Sequence, residues 1–270
     1  MHHWRKYNGA LISDCPPHFE INDTRNEILS FLKKSGMYFA RWESNFDCRK
    51  KTNFWFIIND KPLDIMDYDS KTRNKIRKGL KECKVKEIKK DELIKKGYDV
   101  YISAFNNYQT YLKPKSFKKF IDEIISTSDS WEYWGVFYES KLIAYSKVMI
   151  VENYAEYRSA KFHPKYLKYR PSEALIYSMN KNYLNDRKFK YVNNGTRSIS
   201  HKTNFPNFLI KKFKFRKAYC KLNIVYSNKI KFVIKILYLF KNIFRFFNFG
   251  PIRQVNILLK QEEIVRSFKT

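Results

Sequence analysis

Cysteine is the first scarcity in this chain. There are four, Cys15, Cys48, Cys83 and Cys220, and they lie far apart. No C-x-x-C pair or His/Cys cluster occurs, so no metal site is expected. At 270 residues the chain is too long to be a disulfide scaffold, and reduced thiols are expected. Uncharged runs are short as well. None reaches the length of a membrane-spanning helix, and the start, MHHWRKYNGALISDCPP, holds no apolar segment of signal-peptide length. A cytoplasmic setting is the resulting expectation. A G-x-S-x-G elbow is missing, so a serine hydrolase of that kind is not indicated. No internal repeat or low-complexity tract stands out.

Acidic charge is the last shortage. Lys+Arg number 54 against 26 Asp+Glu, a net charge of +28. The chain is rich in Lys, Asn, Ile, Phe and Tyr, a bias that an AT-rich genome produces, but the same codon bias would also raise Asp and Glu. The imbalance therefore points to an anionic partner: anionic lipid, nucleic acid or a phosphate-rich substrate. A hydrophobic content of 44% with 18% aromatics excludes disorder and supplies a core for one large or two small domains.

The richest stretch runs from Trp131 to Phe215. WEYWGVFYE (Trp131–Glu139) and KLIAYSKVMIV (Lys141–Val151) read as two strands of a hairpin joined at Ser140, with Lys141 a second turn candidate. NYAEYRSAKF (Asn153–Phe162) is a third strand, Pro171–Asn185 a helix, Lys190–Asn193 a short strand and Phe205–Lys212 a helix. This order sets a strand end beside a helix start, where a phosphate-bearing donor can sit.

Three pieces of that stretch carry a resemblance: HPKYLKYRPSEALI (His163–Ile176), YVNNGTRSISHKTN (Tyr191–Asn204) and FLIKKFKFRKAY (Phe208–Tyr219). As an ordered set, the run from Trp131 to Ala218 resembles the GNAT acyltransferase superfamily, and more closely its Fem-like branch, which acts in the cell envelope. The fold class implied is α/β (α+β), a mixed and mainly antiparallel sheet flanked by helices. An N-terminal strand–helix extension (1–96, read either as a degenerate second GNAT half or as an extension of one sheet) precedes an acyltransferase domain (97–227) and an amphipathic tail (228–270). The activity implied is transfer of an acyl group from acyl-CoA, a co-substrate and not a resident cofactor, to an amine of an amino sugar or envelope glycan precursor. An aminoacyl-tRNA donor is the alternative within the Fem-like branch. A basic lipid- or nucleic-acid-binding protein on the same scaffold is the non-enzymatic one. The acyl-CoA turn of the superfamily normally reads Q/R-x-x-G-x-G/A, whereas Lys168–Ala174 contains no glycine, and Lys214 stands where the closing motif has one. With no glycine to let backbone amides approach, phosphates here are left to Lys168, Arg170 and Ser172. Pro171 suits the first helical position.

GNAT-type transfer needs positioning, a base and oxyanion stabilisation, with no covalent nucleophile. On the third strand Glu156 and Arg158 share one face, so Glu156 reads either as the base or as a partner of Arg158. Tyr157, His201 and Tyr219 are further acid–base candidates, Tyr219 reading equally as a core residue. Asn193, Asn194, Gly195, Arg197 and Ser198 form a polar loop expected to hold donor or acceptor, with Gly195 freeing amides to face a carbonyl.

Upstream, Asn53–Asn59 reads as a buried strand, with Leu63–Tyr68 its partner and Ser70 capping a helix over Lys71–Leu80. From Lys71 to Lys90 there are ten Lys/Arg against two Glu, a phosphate-contacting face or a solvated one. Tyr98–Leu112 and Phe117–Ile125 read as helices, the second capped by Ser116, and Tyr101, Phe105, Tyr108 and Tyr111 as a packing face. Downstream, KIKFVIKILYLFKNIFRFFNF (Lys229–Phe249) reads as one helix ended by Gly250-Pro251, with a short helix over Val255–Phe268 beyond it. Lys231, Lys235, Lys241 and Arg245 fall on one side, a wide apolar face opposes them, and Ile234 is the exception. Such a helix either lies on an anionic membrane, at the inner face if cytoplasmic, or packs its apolar face on the core.

Overall fold

The structure, a computed structural model, describes residues 4–107, 113–199, 204–247 and 249–268. Along the first part of the chain run β1 (Trp4–Tyr7), β2 (Ala10–Ser13), α1 (Arg25–Ser35), β3 (Phe39–Ser44), β4 (Trp55–Asn59), α2 (Ser70–Glu82) and β5 (Lys84–Ile88). The middle holds α3 (Lys90–Asn106), α4 (Phe117–Ile125), β6 (Trp131–Tyr138), β7 (Lys141–Val151), β8 (Tyr154–Phe162), α5 (Pro171–Asn180) and β9 (Tyr191–Thr196). The chain then forms α6 (Phe205–Phe213), β10 (Arg216–Tyr219), β11 (Lys221–Tyr226), α7 (Asn228–Leu239), α8 (Lys241–Phe244) and α9 (Gly250–Ser267). A four-stranded sheet has the order β1-β2-β3-β11 and a seven-stranded sheet the order β10-β4-β9-β8-β7-β6-β5. Pairing is mostly antiparallel, with parallel ladders between β2 and β3 and between β8 and β9. The mixed α/β class with a C-terminal helix stands.

Two compact units share the chain, the first formed by 1–56, 196–204 and 217–270, the second by 57–195 and 205–216. In the first, α1 opens on a capping box in which Thr24 and Glu27 satisfy each other's backbone N–H groups, and it stops at Gly36 in the left-handed region. Leu11, Ile28, Leu32, Ala40 and Val225 form the core between α1 and the sheet. In the second unit, α3 and α4 bury Leu93, Val100, Tyr101, Phe120 and Ile124 against Tyr133, Phe137, Leu142 and Tyr145 of the β6–β7 hairpin. The expected packing face holds for Tyr101 and Phe105; Tyr108 and Tyr111 lie outside the described residues.

Four expectations are corrected. Leu63–Tyr68 is not a strand: Asp64 and Asp67 cap each other around a single 3-10 turn at Ile65–Asp67, and β4 pairs with β10 and β9 instead. The cap of α2 is Asp69, whose side chain accepts from the Thr72 N–H at 2.9 Å, while Ser70 is already helical. The hairpin turn is Glu139-Ser140, with Glu139 at φ 53, because a two-residue hairpin turn requires left-handed backbone. Helix α3 begins at Lys90, eight residues before the expected start at Tyr98, with Asp91 and Glu92 favourably placed in its first turn.

The C-terminal region departs most. The expected single helix breaks at Phe240, and Gly250 opens α9 and does not end the preceding helix. Lys241 and Arg245 leave the expected stripe and pair with Glu263 of α9 at 3.0 and 2.6 Å. Ile234, the exception to the broad face, is buried at 3% exposure against Ala10, Ile12, Phe39 and Tyr226.

Candidate functional site

Strand β8 carries the local irregularity. Its ladder with β7 passes from Lys147↔Ser159 to Val148↔Tyr157, which leaves Arg158 unmatched as a bulge. On its other side β8 pairs with β9 only at Tyr154↔Tyr191, Ala155↔Val192 and Glu156↔Asn193. The parallel ladder therefore ends at Glu156, two residues before the bulged Arg158, and β8 runs on to Phe162 without β9. Beyond that point a strand edge is left for another group to meet. The gap is partly bridged: Asn194 Nδ2 donates to the Tyr157 carbonyl at 3.3 Å.

The strand residues expected to act gather here. Glu156 and Arg158 pair at 3.0 Å with side chains 15% and 29% exposed, so a shielded ion pair stands at the open edge. Tyr157 points into the core, where its hydroxyl donates to Asn180 Oδ1 at 2.8 Å. Burial, with Tyr183 and Tyr68 nearby, pushes that hydroxyl well above its ordinary pKa. Asn193 is fully buried, and its Nδ2 has no hydrogen-bond partner among the described residues. Its Oδ1 accepts the Gly195 N–H at 2.7 Å in an Asx-type turn. Gly195, at φ 78, makes the expected turn but does not offer its amide outward.

The turn from β8 to α5 is set by three features. His163 accepts from the Lys165 N–H and begins a 3-10 segment, Pro164–Tyr169. Arg170 then takes the left-handed region at φ 61, and Pro171 starts α5. The start of α5 is already supplied with negative charge. Pro171 has no N–H to offer. Glu173, 3% exposed, turns its carboxylate onto its own first turn, where it accepts from the Ser172 hydroxyl at 2.8 Å and pairs with Lys212 at 3.1 Å. Burial pushes this carboxyl up, yet the bonds from Ser172 and Lys212 outweigh it and hold it below the ordinary glutamate range. Ser172 is thus engaged, and Lys168 lies exposed along the Tyr169 ring. Arg170 makes no ion pair among the described residues and stands half-exposed.

Helix α2 approaches the same turn. Its buried stripe is Thr72, Ile76 and Gly79, and a Cβ at Gly79 would meet the Arg170 carbonyl oxygen at 2.6 Å. Lys71, Arg77, Lys78 and Lys81 are exposed. Sequence reasoning passed over Glu173 and Gly79. Pro-x-Glu at the opening of an expected helix was the available signal for the first, since an acid at the third position serves a helix start. Gly79 had no local signal.

Arg197, Ser198 and Tyr219 belong to the first unit. Arg197 donates to the Asn53 carbonyl at 2.7 Å, stacks over Trp55 at 4.5 Å, and has its pKa lowered by burial. Lys217 lies 4.2 Å over the same indole and Tyr219 meets it edge-on. An open pocket of 490 Å³ lies between Arg197, Tyr238, Lys260 and Arg266. His201 falls outside the described residues. Among the described residues no group of three or more His, Cys, Asp or Glu is set to hold a metal ion.

The same arrangement of elements recurs in solved structures. FemX superposes with a TM-score of 0.57 over 86% of this chain and 85% of its own, at 9% identity. The fold is GNAT-like. L-PGS from Bacillus licheniformis superposes with a TM-score of 0.51 over 97% of this chain and 85% of its own, at 12% identity. A C-terminal DUF2156 domain from Agrobacterium fabrum gives 0.48 at 12% identity over 71% of this chain, which spans 65% of that domain. No family model matches the sequence, and no curated protein matches it. At such identities the likeness is one of fold, and a GNAT-like fold carries many activities.

Proposed function

We propose that this protein transfers an aminoacyl group from aminoacyl-tRNA to an amine. The observation that carries the proposal is the start of α5. A CoA-type donor needs a helix N-terminus with open amides for its pyrophosphate. In this chain Glu173 already supplies the anion there, Ser172 is bonded to it, and α2 packs on the Arg170 carbonyl. A tRNA donor makes no such demand, because its phosphates can be met by surface cations. Arg170 and the exposed Lys71, Lys78 and Lys81 are suited to that task.

The reaction is a direct aminolysis. The neutral amine attacks the ester carbonyl carbon, a carbon–nitrogen bond forms, and the bond to the ribose oxygen breaks. The amine's proton passes to a base and the ribose oxygen leaves as a hydroxyl. The open edge of β8 at the Arg158 bulge offers backbone donors for the oxyanion, and Glu156 is the nearby carboxylate. The acceptor, an amine of an envelope glycan precursor, is proposed on the Fem-like resemblance alone.

The test is calorimetric titration with acetyl-CoA, longer acyl-CoAs and charged tRNA, followed by transfer of a labelled amino acid from tRNA to amine acceptors. Expected are tight, salt-sensitive tRNA binding weakened by Arg170→Ala and no micromolar CoA binding. Micromolar acyl-CoA binding weakened by the same substitution would return the donor to CoA.

A further inference from the structure

We infer that the segment from Phe232 to Phe249 docks the protein on an anionic membrane surface. The orientation of α7 carries this. The helix is held to the first unit through Ile234, with Ile230 beside it, on Ala10, Ile12, Phe39 and Tyr226. At 100° per residue, Phe232, Val233, Ile236, Leu239 and Phe240 occupy an arc of about 120° on the side opposite Ile234. All five are exposed, Phe232 at 67% and Leu239 at 78%. The broad apolar face is turned away from the core that could have covered it.

The face continues past the helix. Ile243, Phe246, Phe247 and Phe249 are also exposed, Phe246 at 85%, which makes nine large apolar side chains, five of them Phe, within 18 residues. Isolated exposed apolar residues need no explanation, but a contiguous set of this size marks an interaction surface.

Charge selects the occupant. Lys229, Lys231 and Lys235 are exposed and make no ion pair among the described residues, while Lys241 and Arg245 are held by Glu263. Lys229 thus stands on the same side as the apolar face one turn before Phe232, Lys235 flanks the face and Lys231 lies further round the helix, on a chain of net charge +28. A second copy is a poor occupant, because a two-fold contact through this face would bring the same lysines together on two strongly cationic chains. An anionic bilayer accepts both parts at once: the phenylalanines enter the acyl boundary and the lysines meet headgroup phosphates. Among the described residues no helix is long and apolar enough to cross a membrane, so the contact is interfacial. The inference does not depend on the transferase reading.

The full chain is floated with vesicles of phosphatidylcholine alone and with vesicles in which about a quarter of the lipid is phosphatidylglycerol. Binding at least about ten-fold stronger to the anionic vesicles is expected, lowered about ten-fold or more by Phe232→Ser with Leu239→Ser and by Lys231→Glu with Lys235→Glu. Ile234 is left in place in every variant, and a melting curve checks the fold. Phe246→Ser with Phe249→Ser, which lies outside α7, repeats the test if the first pair unfolds. Three results would overturn the inference: no flotation, equal binding of wild type and all variants, or a concentration-dependent dimer abolished by Phe232→Ser with Leu239→Ser.

Discussion

Glu173 is a buried carboxylate whose charge is required where it sits. Its carboxyl is held below the ordinary value of 4.5 although burial opposes this. A depressed carboxyl contributes stability that is fully present above the unfolded value and is lost as pH falls through the folded one. Glu173→Gln is therefore expected to cost about 1–3 kcal/mol near neutrality. The difference from wild type should shrink as pH drops below about 4.5. Urea unfolding at a series of pH values checks this, and parallel stability curves for the two proteins would refute it. The residue was within reach of the sequence, three positions into a helix opened by Pro171. What it holds was not, because Lys212 lies 39 residues away and only the fold joins them. Glu156 and Arg158 were legible as a pair from alternation alone. The bulge beside them was not, since Arg158 looks like any strand residue until its neighbour β7 is counted against it.

Between elements, α2 comes close to the start of α5 at Gly79. A side chain at position 79 would place its Cβ 2.6 Å from the Arg170 carbonyl oxygen and 3.0 Å from the Ala174 Cβ. Backbone cannot give way as a flexible side chain can, so Gly79→Val should destabilise the protein by about 1–3 kcal/mol, read as a lowered urea midpoint with an unchanged slope. A midpoint within error of wild type would show that α2 moves off α5 freely. The hairpin, β8, α4 and α6 were readable because alternation, caps and turn residues agree there: Ser116 caps α4 as its position suggests, accepting from the Lys119 N–H. Elements failed where local signals were ambiguous. The Lys90–Gly97 opening of α3 looks like solvated charge, and Gly97 argues against a helix. In the structure that glycine is where α3 passes Phe120 of α4. The break in the tail at Phe240 has no Gly or Pro to announce it.

For the whole molecule, charge matters most. A chain of net charge +28 that meets tRNA phosphates must release counterions on binding. Affinity for tRNA should therefore fall by about 10³-fold or more between about 50 and 200 mM salt if six or more phosphates are contacted, a slope that filter binding measures. A nearly flat dependence would mean that the positive charge serves another partner. The first unit adds a constraint of its own. Its β3 pairs with β11, and the Asn223 side chain reaches Ser44 across 179 residues of chain. On the ribosome β3 is made before the second unit and β11 after it, so one edge of β3 waits open while the whole second unit is synthesised. The phenylalanine-rich segment emerges later still, when Ala10, Ile12 and Phe39, on which Ile234 will settle, are already waiting. Nascent chains of this protein thus carry an unpaired strand edge and an uncovered apolar surface in the first unit until β11 and α7 have left the ribosome.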